Sequence, residues 1–242
     1  MSYIFREHIK QSLAVIAFLI TLTACTSESY DAGDGPNSYL TADLVLLHTS
    51  QDKSVRSALL DDGTTLQFSN PFAQDWLTRP DSVYRALLYY DKTVAASDAV
   101  VSNPTATYIV RARSVRPVSV LCPVEAADMQ TLRTDPVGFE SLWMSKNKSY
   151  INLSLLLKSG KTEADDALHA LGIVSHGTTT DADRRRTLHL TLYHDQGGVP
   201  AYYTVQQYVS IPTQLLEEAD TVELTLNTYN GKKVVKVAVS NL

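Results

Sequence analysis

Residues 221–239 read TVELTLNTYNGKKVVKVAV, and this stretch decides the fold. Val222, Leu224 and Leu226 fall on every second position, and so do Val235, Val237 and Val239. Side chains of a strand alternate between two faces, so each run presents one apolar face. Asn230-Gly231 lies between the runs. Asn and Gly adopt positive φ most easily, as the tightest hairpin turns require, so the pair joins two antiparallel strands. The same period of two recurs upstream. Leu188, Leu190 and Leu192 alternate, as do Ile151, Leu153, Leu155 and Leu157. Tyr203, Val205, Val209 and Ile211 share a face beyond the loop Asp195-Gln196-Gly197-Gly198. Strands of this kind, separated by turn residues, predict an antiparallel sandwich over residues 137–242.

The preceding part alternates in shorter runs. Leu40, Ala42, Leu44 and Leu46 share a face. Asp61-Asp62-Gly63 is a tight-turn signal flanked by residues 58–60 and by Leu66 and Phe68. A further strand over residues 82–90 places Tyr84, Leu88 and Tyr90 together, and another over residues 107–118 carries Arg111, Arg113 and Arg116. A small barrel buries such a set and closes its edges, here over residues 39–120. Residues 121–136 are expected to be a linker. Within it residues 124–133 form a short helix or irregular connector, ended near Asp135-Pro136 because proline restricts the residue before it.

Arg6 and Lys10 precede an apolar run from Leu13 to Leu22. That run is about half the roughly 20 residues that a helix needs to span a bilayer. It has the length of a signal-peptide core, and it ends in Leu22-Thr23-Ala24-Cys25. Residues 1–24 are therefore read as a lipoprotein signal, with Cys25 as the acylated first residue of the mature chain. Each buried CH₂ contributes about 0.8 kcal/mol, so more than one acyl chain makes a lasting anchor. Residues 25–38 are rich in Ser, Asp, Gly and Asn and read as a flexible tether.

Removing residues 1–24 takes away Arg6, Lys10 and Glu7 and leaves 19 basic and 25 acidic residues, a net charge near −6. That balance excludes nucleic acid as a partner, since phosphate binding needs a basic surface. Of the two cysteines, Cys25 is committed to lipid, so Cys122 has no disulfide partner. Its apolar neighbours Leu121 and Pro123 predict a buried, inert thiol.

No catalytic constellation emerges. His169 and His176 are seven apart and His189 and His194 five, odd separations that put strand side chains on opposite faces. A zinc site needs three or four converging ligands, so no metal and no cofactor are expected. Ser175-His176 lies in Gly172-Ile173-Val174-Ser175-His176-Gly177, which lacks the strained elbow of a serine nucleophile. Asp165-Asp166 and Asp181-x-Asp183 read as solvated loop acids, and Arg184-Arg185-Arg186 cancels the second pair locally. Tyr89-Tyr90 and Tyr202-Tyr203 each place one ring on each face of a strand. The outward ring is a candidate contact for a sugar or a protein, set against simple edge filling.

Two segments carry a family resemblance. Near the start stand SYLTADLVLLHT (residues 38–49) and LLDDGTTLQF (residues 59–68), after the lipobox and a Gly-rich acidic stretch. Later comes RRRTLHLTLYHDQGGVPAYYTVQQYVSIPTQL (residues 184–215). Together they resemble the NigD-like lipoproteins over nearly the whole mature chain. The resemblance implies an all-β, two-domain fold: a small OB-like barrel followed by an antiparallel Ig-like β-sandwich. It brings no activity and no catalytic residue, although the family takes its name from a bacteriocin-associated operon. The expected function is a non-catalytic binding or assembly module, lipid-anchored to the bacterial envelope at the outer membrane, with an envelope protein or glycan as partner. An envelope hydrolase assembled from distant residues, for which His169, His176 and His194 would have to meet, is the enzymatic alternative. A bacteriocin-related accessory or immunity role is the third.

Overall fold

The computed structural model describes residues 40–91, 107–161, 168–216 and 219–239, all within one compact unit that begins at Leu40. Cys25, the signal and the tether lie outside the described residues. The fold is all-β, a closed barrel followed by a sandwich, as the sequence predicts.

Five strands make the barrel: β1 (Leu40–Thr49), β2 (Val55–Leu60), β3 (Thr65–Phe72), β4 (Val83–Asp91) and β5 (Thr107–Pro117). They close in the order β1-β2-β3-β5-β4, with β3 and β5 parallel. The Asp61-Asp62-Gly63 turn joins β2 to β3, and Gly63 takes a φ of 88° there. Val45, Leu47, Ala58, Leu66, Ala86, Leu88 and Val110 fill the interior. The face that Leu40, Ala42, Leu44 and Leu46 share is the outer face of β1. Val45 and Leu47 point into the barrel, while Leu44 packs outside it and Ala42 is exposed. Both faces of this strand are apolar because both are partly covered, and alternation alone does not rank them.

The sandwich stacks two sheets. One holds β14 (Gly231–Ala238), β13 (Thr221–Thr228), β11 (Arg186–Asp195), β10 (Ala170–Thr180) and β7 (Pro123–Glu125), in that order. The other holds β6 (Ser119–Val120), β12 (Tyr203–Pro212), β9 (Tyr150–Ser159) and β8 (Gly138–Met144). The alternating leucines and valines form the core between them, with Ile151, Leu153, Leu155, Leu190, Val209 and Leu226 each at most 1% exposed. The Asn230-Gly231 hairpin pairs Val222 with Val237 and Leu224 with Val235. Its outer strand β14 is an open sheet edge, and Lys232, Lys233 and Lys236 place charge there, which disfavours edge-to-edge association.

Two features differ from expectation. The sandwich is not uniformly antiparallel: β7 with β10, β6 with β12, and β11 with β13 run parallel. The cause is topological, because the chain leaves one sheet after β11, runs β12 in the other, and returns as β13 in the original direction. The segment expected to be a linker is also built into the sandwich. Strands β6 and β7 enter opposite sheets within a few residues, followed by a single 3₁₀ turn at Ala126–Asp128. Cys122 sits between those strands and is exposed rather than buried, since the chain is crossing from one sheet edge to the other.

Candidate functional site

The outer face of β4 carries Arg85, Leu87 and Tyr89, opposite in phase to the inward Ala86, Leu88 and Tyr90. On a free barrel that face would meet water. Here it meets the outer face of the sheet containing β9 and β12. Leu44, Leu87 and Val118 form a small apolar cluster there with Tyr89, Trp143 and Tyr208. Arg85 is 4% exposed and anchors the seam. It donates to both carboxylate oxygens of Asp61, at 2.6 and 2.7 Å, to Asn152 Oδ1 at 3.1 Å and to Ser210 Oγ at 3.2 Å. Asn152 Nδ2 in turn donates to Asp61, and Ser210 Oγ donates to Asn152 Oδ1 at 2.7 Å. The Arg85 guanidinium also lies 4.4 Å from the centre of the Tyr150 ring. A buried arginine is tolerated only when its charge is balanced and its donors are used, and both conditions are met.

Beside this seam opens a cleft of about 970 Å³. Its barrel wall includes Asp43, Leu66, Tyr89, Tyr90 and Tyr108, and its sandwich wall Glu140, Ser141, Trp143 and Tyr208. The turn at Asp61 and Asp62 forms part of its rim, near Lys146. A β-bulge shapes the sandwich wall. The β8–β9 register shifts between Phe139 and Ser141, which leaves Glu140 as an extra residue. Phe139, Leu142 and Met144 keep packing on the core, while Glu140, Ser141 and Trp143 all line the cleft. Bulges re-aim side chains in this way and are over-represented beside binding sites.

Electrostatics within the cleft are set locally. Ser154 and Gln206 donate to one Glu140 oxygen and hold its carboxyl below the usual range. Partial burial pushes the Asp62 carboxyl up, but the Thr64 amide and hydroxyl and the Lys146 ammonium outweigh it, so the net shift is down. Burial, then the carboxylate of Asp43 that accepts its hydroxyl at 2.8 Å, pushes Tyr90 well above the ordinary phenol range. The cleft is therefore anionic at neutral pH.

Of the tyrosines singled out from the sequence, Tyr89 and Tyr90 line this cleft from opposite faces of β4. Tyr202 and Tyr203 are 78% and 50% exposed and do not line it. Trp143, Tyr108, Tyr208, Asp43 and Glu140 were not singled out. Their approach depends on how barrel and sandwich face each other, which no local pattern encodes.

The histidines divide. His169 and His194 meet: His169 Nδ1 lies 2.9 Å from His194 Nε2, with rings stacked at 5.1 Å. They come together because His194 pairs opposite Leu171 in the β10–β11 hairpin, which makes His169 its diagonal neighbour. His194 Nδ1 lies 2.9 Å from the Asp135 carbonyl, so that nitrogen carries the proton and Nε2 accepts from His169. Among the described residues, the remaining His169 Nε2 is buried with no hydrogen-bond partner. His176 instead bonds Thr191, and His189 bonds Thr179 and Glu223. The three histidines that a hydrolase reading required do not assemble, and among the described residues no group of three or more His, Cys, Asp or Glu is placed to hold a metal.

The pair carries a stability prediction. Burial first, and then His194, lower the affinity of His169 for a proton, partly offset by the Lys158 backbone. An unfolded chain takes up that proton near pH 6.5, whereas the folded chain resists it. Stability is thus fully present above that value and declines as pH falls below it. His169→Asn retains a donor toward His194 without the titration. Urea midpoints measured between about pH 7.5 and 5.5 should fall less steeply for the variant than for the parent. Equal slopes would remove the histidine pair as the cause.

A closed five-stranded barrel joined to a two-sheet sandwich, with a cleft between them, defines an all-β protein of barrel and sandwich parts. Residues 120–239 match the family model described as the NigD-like C-terminal beta sandwich domain, and the chain belongs to the NigD-like proteins. Three solved structures are similar. A NigD-like immunity protein from Bacteroides caccae is 23% identical with a TM-score of 0.59, over 81% of this chain and 91% of that one. A protein of unknown function from Bacteroides vulgatus is 17% identical with a TM-score of 0.56, over 82% and 90%. A protein named as a candidate lipoprotein from Bacteroides fragilis is 14% identical with a TM-score of 0.58, over 83% and 98%. At these identities the likeness establishes the fold alone. No curated protein matches the chain. Among the described residues no helix is long and apolar enough to cross a membrane.

Proposed function

We propose that this chain is a lipid-anchored envelope protein whose folded part binds a ligand non-catalytically in the cleft between barrel and sandwich. The observation that carries the reading is the cleft itself. Its volume of about 970 Å³ lies at the upper end of small-molecule sites, and two domains wall it. The Arg85 network fixes those walls relative to each other, so the site exists before a ligand arrives. Cys25 is the anchor, in the outer membrane, and residues 25–38 give the folded part reach. The partner is an envelope glycan or protein.

A photo-crosslinking residue at Ser141, in the full-length chain within intact cells, tests this. Light-dependent capture of an envelope component is expected from Ser141 and not from Tyr202, which faces solvent away from the cleft. Equal capture at both positions, or none, would overturn the cleft reading. Cys25→Ser should move the protein from the membrane to the soluble fraction, and retention on the membrane would count against lipid anchoring. Protease treatment of intact cells then separates surface from periplasmic display. A role in bacteriocin immunity is a second reading, favoured only by the name of the Bacteroides caccae relative. Unchanged producer sensitivity after gene deletion would remove it.

A further inference from the structure

The cleft is lined by two kinds of group that rarely serve the same ligand. Tyr89, Tyr108, Trp143 and Tyr208 supply aromatic surface. Asp43, Asp61, Asp62 and Glu140 supply carboxylates. Two of these are balanced, Asp61 by Arg85 at 2.6 Å and Asp62 by Lys146 at 3.8 Å. Asp43 and Glu140 have no cation within salt-bridge range among the described residues; the first accepts only the Tyr90 hydroxyl, the second only Ser154 and Gln206. An ionised carboxylate offers about four lone-pair sites, so each keeps spare capacity. The bulge places Glu140 on this wall, and Tyr90 orients Asp43 at the mouth of the barrel.

These features sort ligand classes. Phosphate and other anions meet unbalanced negative charge. A purely apolar chain would strip water from the remaining lone pairs of Asp43 and offer its charge nothing in return, which is costly. An ammonium group is attracted by both linings at once, by the carboxylates as charges and by the ring faces through their quadrupoles. We propose that the cleft binds an organic cation, its charge balanced by Asp43 and Glu140 and its alkyl body lying on the rings of Tyr89, Trp143 and Tyr208. This rests on the reading of the cleft as the binding site and adds the class of ligand.

The test uses the full chain in detergent with Trp76→Phe, so that Trp143 is the one remaining tryptophan reporter. Its emission is titrated with choline and with butylammonium, and in parallel with 3,3-dimethylbutanol, the uncharged isostere of choline, and with a neutral N-acetylglucosamine tetramer. A saturable change is expected for a cation at least about tenfold tighter than for either neutral probe. Asp43→Asn combined with Glu140→Gln should weaken it by about tenfold or more at an unchanged melting temperature. Equal binding of a neutral probe, no saturable change with either cation, or indifference to the double substitution would overturn the proposal. Capture from Ser141 in cells does not depend on ligand charge. If it persists while these titrations fail, the cleft reading stands and the cation assignment alone falls.

Discussion

Arg85→Ala is expected to destabilise the fold by about 3–5 kcal/mol, the cost of removing one partner from a buried ion pair. The substitution leaves the Asp61 carboxylate without its cation and frees acceptors on Asn152 and Ser210 inside the seam. It also empties the space over the Tyr150 ring. Chemical denaturation followed by circular dichroism measures the loss. A shift below about 1 kcal/mol would show that the seam contributes no more than an exposed surface pair. Arg85→Met with Asp61→Asn is the informative companion. It removes both charges and keeps bulk, so it should cost less than Arg85→Ala, because an orphaned buried charge is worse than none.

The second large effect lies in the two cores. Leu47 is fully buried in the barrel and Leu190 is 1% exposed in the sandwich. Truncating either to alanine should cost about 2–5 kcal/mol through lost burial and the cavity left behind. The seam makes a further demand on these variants. Trp76 packs against the barrel core, and Trp143 packs against the seam from the sandwich side. While the Arg85 network holds, both probes should report one midpoint, and a core lesion in either half should move them together. In an Arg85→Ala background the midpoints should separate, with Leu47→Ala shifting mainly Trp76 and Leu190→Ala mainly Trp143. Two separate transitions in the parent protein would show that barrel and sandwich unfold independently and would remove the coupling.

Much of the architecture was legible in the residues because a period of two is a local property. Leu188, Leu190 and Leu192, or Val222, Leu224 and Leu226, name their own face without reference to anything distant. Asn230-Gly231 and Asp61-Asp62-Gly63 announce their turns for the same reason. What the pattern withholds is what each face meets. In β4 the residues Arg85, Leu87 and Tyr89 read as a mixed outer face, and nothing nearby says that a second domain covers it. The partners of Arg85 lie 24, 67 and 125 residues away in sequence. Glu140 was obscure for a different reason. It is the unpaired residue of a bulge, and strict alternation has no place for an extra position. His169 and His194 became neighbours only through a hairpin register, and a count of spacing along one strand passes over such diagonal pairs. Cys122 was misjudged because apolar neighbours in sequence indicate burial only within a regular element, and it lies at a crossing between sheets.

Strand β1 is the first described strand after residues 25–38, and it is hydrogen-bonded along both edges. It pairs with β4 from Leu40 opposite Asp91 to His48 opposite Val83, and with β2 over its second half. For a protein held by its N-terminus and gripped at the cleft, tension runs along β1 and loads the β1–β4 ladder in shear. Nine facing positions then resist at once instead of parting one after another. Resistance to such a pull is governed by the rate of unfolding. If the chain is held in that way, the closed barrel meets the pull with a strand that is paired along both of its edges.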